Sequence, residues 1–365
     1  MEESLFKEWL QKYFPGITVS VVEELNGENR GAQTYLHLTE LTPLFSVTGK
    51  WETVLNSFTT VAADVVAMDS PLPLKKRDRL SGASGDIPKK GMHMQLNENQ
   101  MTELDTLVAT NAPVETIVSR IFADTPRCII GIYERNELEY LHGLSTGIAL
   151  VQDIDNTGTG VRLDYGYLEE NKFGVETSWD DPETAKPFDD FKRVIAKARR
   201  DGKVITRVKI DPDTLDKIAL SRQAKQFYAF QAGFNNGDLS NIPSPDIDQL
   251  QAVVKRRLGF TFQVIDRSIN VQKNGTDTPV TPWKAGNIIC QTTNEMGNLV
   301  YARLAEQNHP VAGVTYSTPA PYILVSKFRK NEPSLSEHTT SQGRVFPVVN
   351  NGNFVYMLET SVIEA

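Results

Sequence analysis

Apolar residues in the first third of the chain follow two different rhythms. In "SLFKEWLQKYF" Leu5, Trp9 and Tyr13 recur every four residues, the spacing of one helix face, and Pro15-Gly16 is expected to end that helix. In "WETVLNSFTTVAADVVAMD" β-branched side chains dominate and predict a strand. That strand runs into "DSPLPLKKRDRLSGASGDIPKKGMHMQ", residues 69–95, where apolar periodicity disappears. Pro71, Pro73 and Pro88 with Gly82, Gly85 and Gly91 exclude a helix there. "GMHMQL" reads as the returning strand, so the segment is the tip of a hairpin far longer than the usual connection of about two to five residues.

Helical spacing resumes in "NAPVETIVSRIF". Val114, Ile117, Val118, Ile121 and Phe122 share a face, with Asn111 placed to cap and Pro113 near the first turn. "PRCIIGIYERNELEYLHGL" continues with Ile129, Ile130, Tyr133, Leu138 and Leu141 as far as Gly143. Together these predict a long helix, kinked or interrupted at Pro126, followed by strand in "GVRLDYGYLEENKFGVE".

From about Trp179 helices and strands alternate. "PFDDFKRVIAKARRDG" is a helix between Pro187 and Gly202, "KVITRVKI" a strand, and "DPDTLDKIALSRQAKQF" a helix capped by Asp211. "DIDQLQAVVKRRLG" places Ile247, Leu250, Val254 and Leu258 on one face, ended by Gly259. The rest is strand-rich, and Asn350-Asn351-Gly352 in "RVFPVVNNGNFVYMLE" predicts a hairpin turn. There is no repeat and no low-complexity tract. The pattern describes an α+β protein with an α/β unit inserted between strands of a more elongated frame.

Composition changes this picture in one respect. The 365 residues are 40% hydrophobic and carry a net charge of −8, the profile of a folded soluble chain with no general affinity for phosphate. Residues 69–95 run against that charge, with Lys75, Lys76, Arg77, Arg79, Lys89 and Lys90 against Asp69, Asp78 and Asp86. A basic arm with almost no apolar side chains cannot build a core of its own, so its partners are expected elsewhere. The acidic N-terminus lacks the pattern of a signal peptide, and no run reaches the roughly 18 to 20 apolar residues of a membrane helix. A cytoplasmic protein without membrane contact is expected. Cys128 and Cys290, far apart in apolar surroundings, are expected to be buried thiols.

Candidate chemistry is weak throughout. "GLSTG" matches the G-x-S-x-G elbow around Ser145, with His309 and His338 downstream, but the elbow needs a strand before it and a helix after it, and here the order is reversed. "DIDNTGTGVRLD" spaces Asp153, Asp155, Thr157, Gly158 and Asp164 like a calcium loop, without the bidentate Glu and flanking helices such a loop needs. His37, His93, His142, His309 and His338 show no metal-ligand spacing. Asp180 and Asp181 in a proline-containing turn read as capping residues. No catalytic residue, cofactor or metal is expected. Two rival functions stand beside a structural one: a cytosolic serine hydrolase using Ser145, and a nucleic-acid-binding module using the arm 69–95, which lacks interleaved aromatics for stacking.

The order of the pieces resembles the major capsid proteins of tailed bacteriophages, the lambda-type protein E family with the Hong Kong 97 fold. The likeness is carried by "AADVVAMDSPLPLKKRDRLSGASGDIPKKGMHMQLNE", "ERNELEYLHGLSTG", "VRLDYGYLEENKFGVETSWDDPETAKPFDDFKRVI", "FQVIDRSIN" and the terminal "RVFPVVNNGNFVYMLE". The resemblance implies residues 1–50 as an N-terminal arm region and 51–97 as an extended loop. It implies 98–178 with 330–365 as a peripheral domain holding a long spine helix, and 179–329 as an axial domain. It further implies a non-enzymatic head protein that associates with itself into hexamers and pentamers around double-stranded DNA, without sequence-specific contacts. Portal, scaffold or decoration proteins would be further partners, in a virion assembled in the host cytoplasm. Lys75, Lys76, Arg77, Arg79, Lys89 and Lys90 would then be intersubunit contacts. No residue here matches a covalent cross-linking site.

Overall fold

Helix α1 (Lys7–Asn26) continues through the Pro15-Gly16 pair that was expected to end it. Proline removes one backbone hydrogen bond, but Leu10, Phe14, Thr18 and Val22 form a buried stripe spaced every four residues, and that burial outweighs the lost bond. In this computed structural model the described residues are 1–27, 35–56, 80–151, 161–232, 243–273 and 275–364.

A short helix α2 (Leu36–Glu40) leads into β1 (Leu41–Phe45) and β2 (Lys50–Asn56). The expected hairpin exists, but its return strand is β3 (Leu80–Asp86), antiparallel to β2 from Lys50↔Asp86 to Asn56↔Leu80. "LSGASGD" was assigned to the coreless tip because glycine and serine carry no strand signal; the backbone ladder supplies what the side chains lack. The segment expected to return, β4 (Lys89–Leu96), joins a different sheet.

Helix α3 (Glu98–Ala109) opens on a capping box between Asn97 and Gln100. Helix α4 (Val114–Ile121) follows, with Pro113 rather than Asn111 at its cap position; Asn111 instead takes a left-handed turn, φ 51°. Helix α5 (Asp124–Thr146) is separate from α4, and Pro126 lies in its first turn, where a missing N–H costs nothing. Gly147, φ 76°, ends it with an N–H bonded to Gly143 O. Strand β5 (Ile148–Val151) pairs with β6 (Val161–Asp164), and β7 (Lys172–Val175) follows.

The α/β alternation holds: α6 (Pro187–Arg200), β8 (Arg207–Ile210), α7 (Pro212–Leu220), α8 (Arg222–Ala232), α9 (Ile247–Arg257) and β9 (Thr261–Val264). The single helix expected after Asp211 is two, because Ser221 turns extended and its Oγ accepts from Ala224 N–H as a new cap. A hairpin of β10 (Ile269–Lys273) and β11 (Thr276–Val280) leads to β12 (Asn287–Gln291), β13 (Gly297–Ala302), α10 (Ala305–Asn308), β14 (Thr315–Ala320), β15 (Ile323–Lys330), β16 (Ser336–Val349) and β17 (Val355–Ile363).

Two sheets gather most of the described strands, while β2–β3, β5–β6 and β10–β11 form two-stranded sheets of their own. The larger runs β1-β13-β16-β15-β14 with β4 also on β16; the other runs β7-β17-β12-β8-β9. Asn350-Asn351-Gly352 is therefore not a hairpin turn. It carries the chain from one sheet to the other, and Asn350 N–H and Asn351 N–H bond to Met296 O instead of across a hairpin. The expected axial stretch 179–329 contributes to both sheets, since β13, β14 and most of β15 lie in the larger one.

Each sheet has its own core. One cluster gathers Phe14, Tyr133, Tyr140, Leu299, Val325 and Phe346; the other gathers Trp179, Phe188, Phe191, Val208, Leu215 and Phe260. The five-stranded sheet stands between them, for along β12 Ile288 and Cys290 face the second cluster and Ile289 the first. Tyr356 and Leu358 alternate likewise with Val355 and Met357 on β17.

Candidate functional site

The β2–β3 ribbon flanks Lys75, Lys76, Arg77 and Arg79 in sequence. It pairs only with itself among the described residues, and a lone two-stranded ribbon is marginal in water. Its base is anchored to the larger sheet. Trp51 is buried and lies 6.2 Å from the Phe346 ring, crossing β3 so closely that a Cβ on Gly85 would fall 2.7 Å from the indole. Gly49, φ 72°, turns the chain so that its carbonyl accepts from Ile87 N–H and from the Arg344 guanidinium at 3.1 Å. Gly49, Trp51, Gly85, Arg344 and Phe346 were missed as a site. The available signal was the tryptophan near the start of the strand, one of four in the chain.

Of the predicted contact residues, Lys75, Lys76, Arg77 and Arg79 lie outside the described residues. Lys89 is exposed at the ribbon's exit and pairs with Glu306 at 3.0 Å. Lys90 turns the other way. Its ammonium is buried against α5, donating to Glu139 and, at 2.7 Å, to Asn136 Oδ1. Burial holds its pKa below the usual lysine value, with Glu139 opposing. Alternation along β4 sends adjacent residues to opposite faces, so Lys90 is committed inside its own chain and is corrected from a surface contact to an internal anchor.

The weak catalytic candidates are placed in structural roles. Ser145 is fully buried in the last turn of α5; its hydroxyl donates to His142 O at 3.1 Å and accepts from Lys284 N–H at 3.1 Å. A nucleophile elbow would leave that oxygen open. Asp180 pairs with Lys217 at 2.6 Å, while Asp181 accepts from Glu183 N–H and the Thr184 hydroxyl, closing a turn. Asp153, Asp155, Thr157 and Gly158 lie outside the described residues. No group of three or more His, Cys, Asp or Glu able to hold a metal occurs among the described residues.

His93 and His338 do meet, Nε2 to Nδ1 at 2.6 Å, with the Ser336 hydroxyl 3.0 Å from His338 Nε2 and the Phe328 ring stacked on His338. Burial first, then the neighbouring His93 and Lys330, pushes the His338 pKa down to about 4. The pair is a neutral clasp between β4 and β16. Cys128 and Cys290 are free and buried, and burial pushes both thiols up to about 12, the opposite of a reactive cysteine. No described helix is long and apolar enough to cross a membrane.

No family model and no curated protein matches the sequence. Solved structures do match the fold. A protein assigned as the capsid protein of a prophage of E. coli CFT073 superposes with a TM-score of 0.57 at 13% identity, covering 94% of this chain and 98% of that one. A phage-related protein from Bordetella bronchiseptica RB50 gives 0.50 at 11% identity, over 95% and 96%. The fold is thus the mixed α+β architecture of Hong Kong 97-like phage capsid proteins, with α5 as the long spine helix and the β2–β3 ribbon as the extended loop.

Proposed function

We propose that this chain is the structural subunit of a phage head, a major capsid protein that assembles with copies of itself into hexamers and pentamers around double-stranded DNA. Its affinity within that fold is to the lambda-type protein E branch. The observation that carries the reading is that the likeness to a prophage capsid protein runs nearly end to end through both chains, with no large region of either left over. An enzyme sharing only a common sheet would not match over that length.

The ribbon supports the same reading physically. The β2–β3 ribbon pairs with no other strand among the described residues, and a neighbouring subunit would supply the surface that a two-stranded ribbon lacks. Repeated head-to-tail contacts of this kind close into rings when the rotation per subunit closes. The basic side chains Lys75, Lys76, Arg77 and Arg79 would meet acidic surface on the neighbour, as expected for a chain of net charge −8. That acidity also suits a DNA container, because a strongly basic lining would hold the genome too tightly to release it. Portal, scaffold or decoration proteins complete the set of proposed partners, with assembly in the host cytoplasm.

Size-exclusion chromatography with negative-stain imaging of the purified chain tests the proposal. Shells, capsomers or a ladder of high-mass species are expected. A clean monomer at high concentration across salt and crowding conditions overturns it.

A further inference from the structure

Lys209 breaks the pattern of its strand. On β8 Val208 and Ile210 face the second core, so Arg207 and Lys209 face the spine helix, on a sheet covered on both sides where apolar residues are the rule. Lys209 is nevertheless fully buried, and its ammonium is paired with the Glu40 carboxylate. That carboxylate also accepts from the Tyr140 hydroxyl of α5 at 2.5 Å and lies 3.5 Å from the Arg207 guanidinium. Burial lowers the pKa of the Lys209 ammonium and Glu40 is the main opposing influence. Glu40 belongs to neither the sheet nor the spine helix; it is the last residue of α2.

The rest of that segment is stitched along α5. The Tyr35 hydroxyl donates to Glu134 at 2.7 Å. Leu36 N–H and His37 N–H donate to Glu137 at 2.9 and 3.1 Å, and His37 Nδ1 lies 2.6 Å from the same carboxylate. Glu134, Glu137 and Tyr140 are three residues apart, so they form one row on the helix. From the opposite side Arg267, just beyond β9, pairs with Glu134 at 2.7 Å and lies 4.5 Å over the Tyr35 ring. Residues 35–40 are therefore gripped between the spine helix and the α/β unit, and the α/β unit holds both ends of the strip. The layer is not an adhesive apolar seam. Gln291, cross-strand from Arg207, is fully buried, and both of its amide atoms lack a hydrogen-bond partner among the described residues.

We propose that residues 35–40 are a latch: the Glu40 carboxylate is the counter-charge without which Lys209 cannot remain buried, so the α/β unit closes on the spine helix only while this segment is seated. A buried ammonium stripped of its partner is much less stable than a pair replaced outright by neutral groups. Withdrawing the strip therefore forces the sheet away from α5, and reseating it restores one geometry, because an ion pair does not slide as an apolar contact does. The latch is a property of the single chain and does not depend on shell assembly.

Hydrogen exchange of the unassembled chain tests it with Glu40→Gln, Lys209→Met and the double variant. Glu40→Gln is expected to speed exchange in β8 and β12 together with residues 36–41 by about tenfold or more, while α6 stays protected. The double variant, with no charge left to bury, is expected to return β8 and β12 to within about threefold of the parent. An effect of Glu40→Gln confined to residues 36–41, or a double variant as loose as the two single changes combined, overturns the proposal. Should Glu40→Gln fail to fold, Glu137→Gln decides the question, since it loosens the strip while leaving Glu40 and Lys209 in place. Faster exchange in β8 then supports the latch, and unchanged β8 overturns it.

Discussion

Lys327 shows how one buried side chain sets the chain's response to pH. Its ammonium donates to Ile121 O at 2.7 Å and lies 5.1 Å over the Phe122 ring. Burial brings its pKa down to about 8, from 10.5, with Asp124 and Glu337 opposing. Below pH 8 the lysine is charged in both folded and unfolded chains, and burying that charge costs stability. Between pH 8 and 10.5 the unfolded chain binds the extra proton, so stability rises with pH, by about 1 kcal/mol over the first unit. From about pH 8 the thiols of Cys128 and Cys290, raised to about 12 by burial, work the other way and offset that gain, because the unfolded chain then loses protons that the folded chain keeps. Lys327→Met should therefore be more stable than the wild type at pH 7, and this advantage should shrink by about 1 kcal/mol from pH 8 to 9 in thermal unfolding. Parallel curves for the two proteins would show that Lys327 is not the group responsible. None of this was legible beforehand, since "ILVSKFRK" places Lys327 in a strand without saying that both faces of the strand are covered.

At the scale of elements, α1 gives a direct test of propensity against packing. Pro15 is exposed while Phe14 and Thr18 beside it are buried, so the proline contributes a missing hydrogen bond and little packing. Pro15→Ala is expected to stabilise the unassembled chain by about 1–3 kcal/mol, measured by chemical denaturation. A loss of stability would mean that Pro15 itself shapes the helix for its contact with β14. The same contest explains the other departures from expectation. The Ser221 break, the β3 strand and the sheet-to-sheet crossing at Asn350 are local choices overruled by neighbours remote in sequence. The cap at Asp211 and the stop at Gly259 read correctly, because such a signal is satisfied within a few residues, whereas Asn111 turned out to be a left-handed turn residue before α4.

For the whole molecule the decisive prediction concerns the arm. Reversing Lys75, Lys76, Arg77 and Arg79 to Glu should leave unfolding of the unassembled chain within about 0.5 kcal/mol of the parent, the range of exposed substitutions, while lowering the yield of shells. Even a contact of about 1 kcal/mol per subunit is repeated over every copy in a closed assembly, and parent shells should weaken as added salt screens it. Equal loss of monomer stability and assembly would show that the arm packs on its own chain. Unchanged assembly would show that these charges face only solvent.

Much of the fold was present in short-range pattern: the amphipathic stripe of α4, the α/β alternation from Trp179, the long hairpin and the buried cysteines each follow from spacing or composition within a few tens of residues. Composition marks the basic segment as unable to form a core, but the strand that returns to β2 was not legible, because Leu80–Asp86 carries glycine and serine and pairs through its backbone. Only the tertiary structure decided which strands share a sheet, since pairing such as β4 with β16 joins residues hundreds of positions apart and depends on backbone atoms that every residue possesses. It also decided which charges are internal. Glu40, Lys90, Glu137, Glu139, Lys209 and Lys327 all look like surface residues in sequence, and each is buried. A charge can enter the interior only where its partner arrives from another part of the chain, and that meeting is a fact of three dimensions.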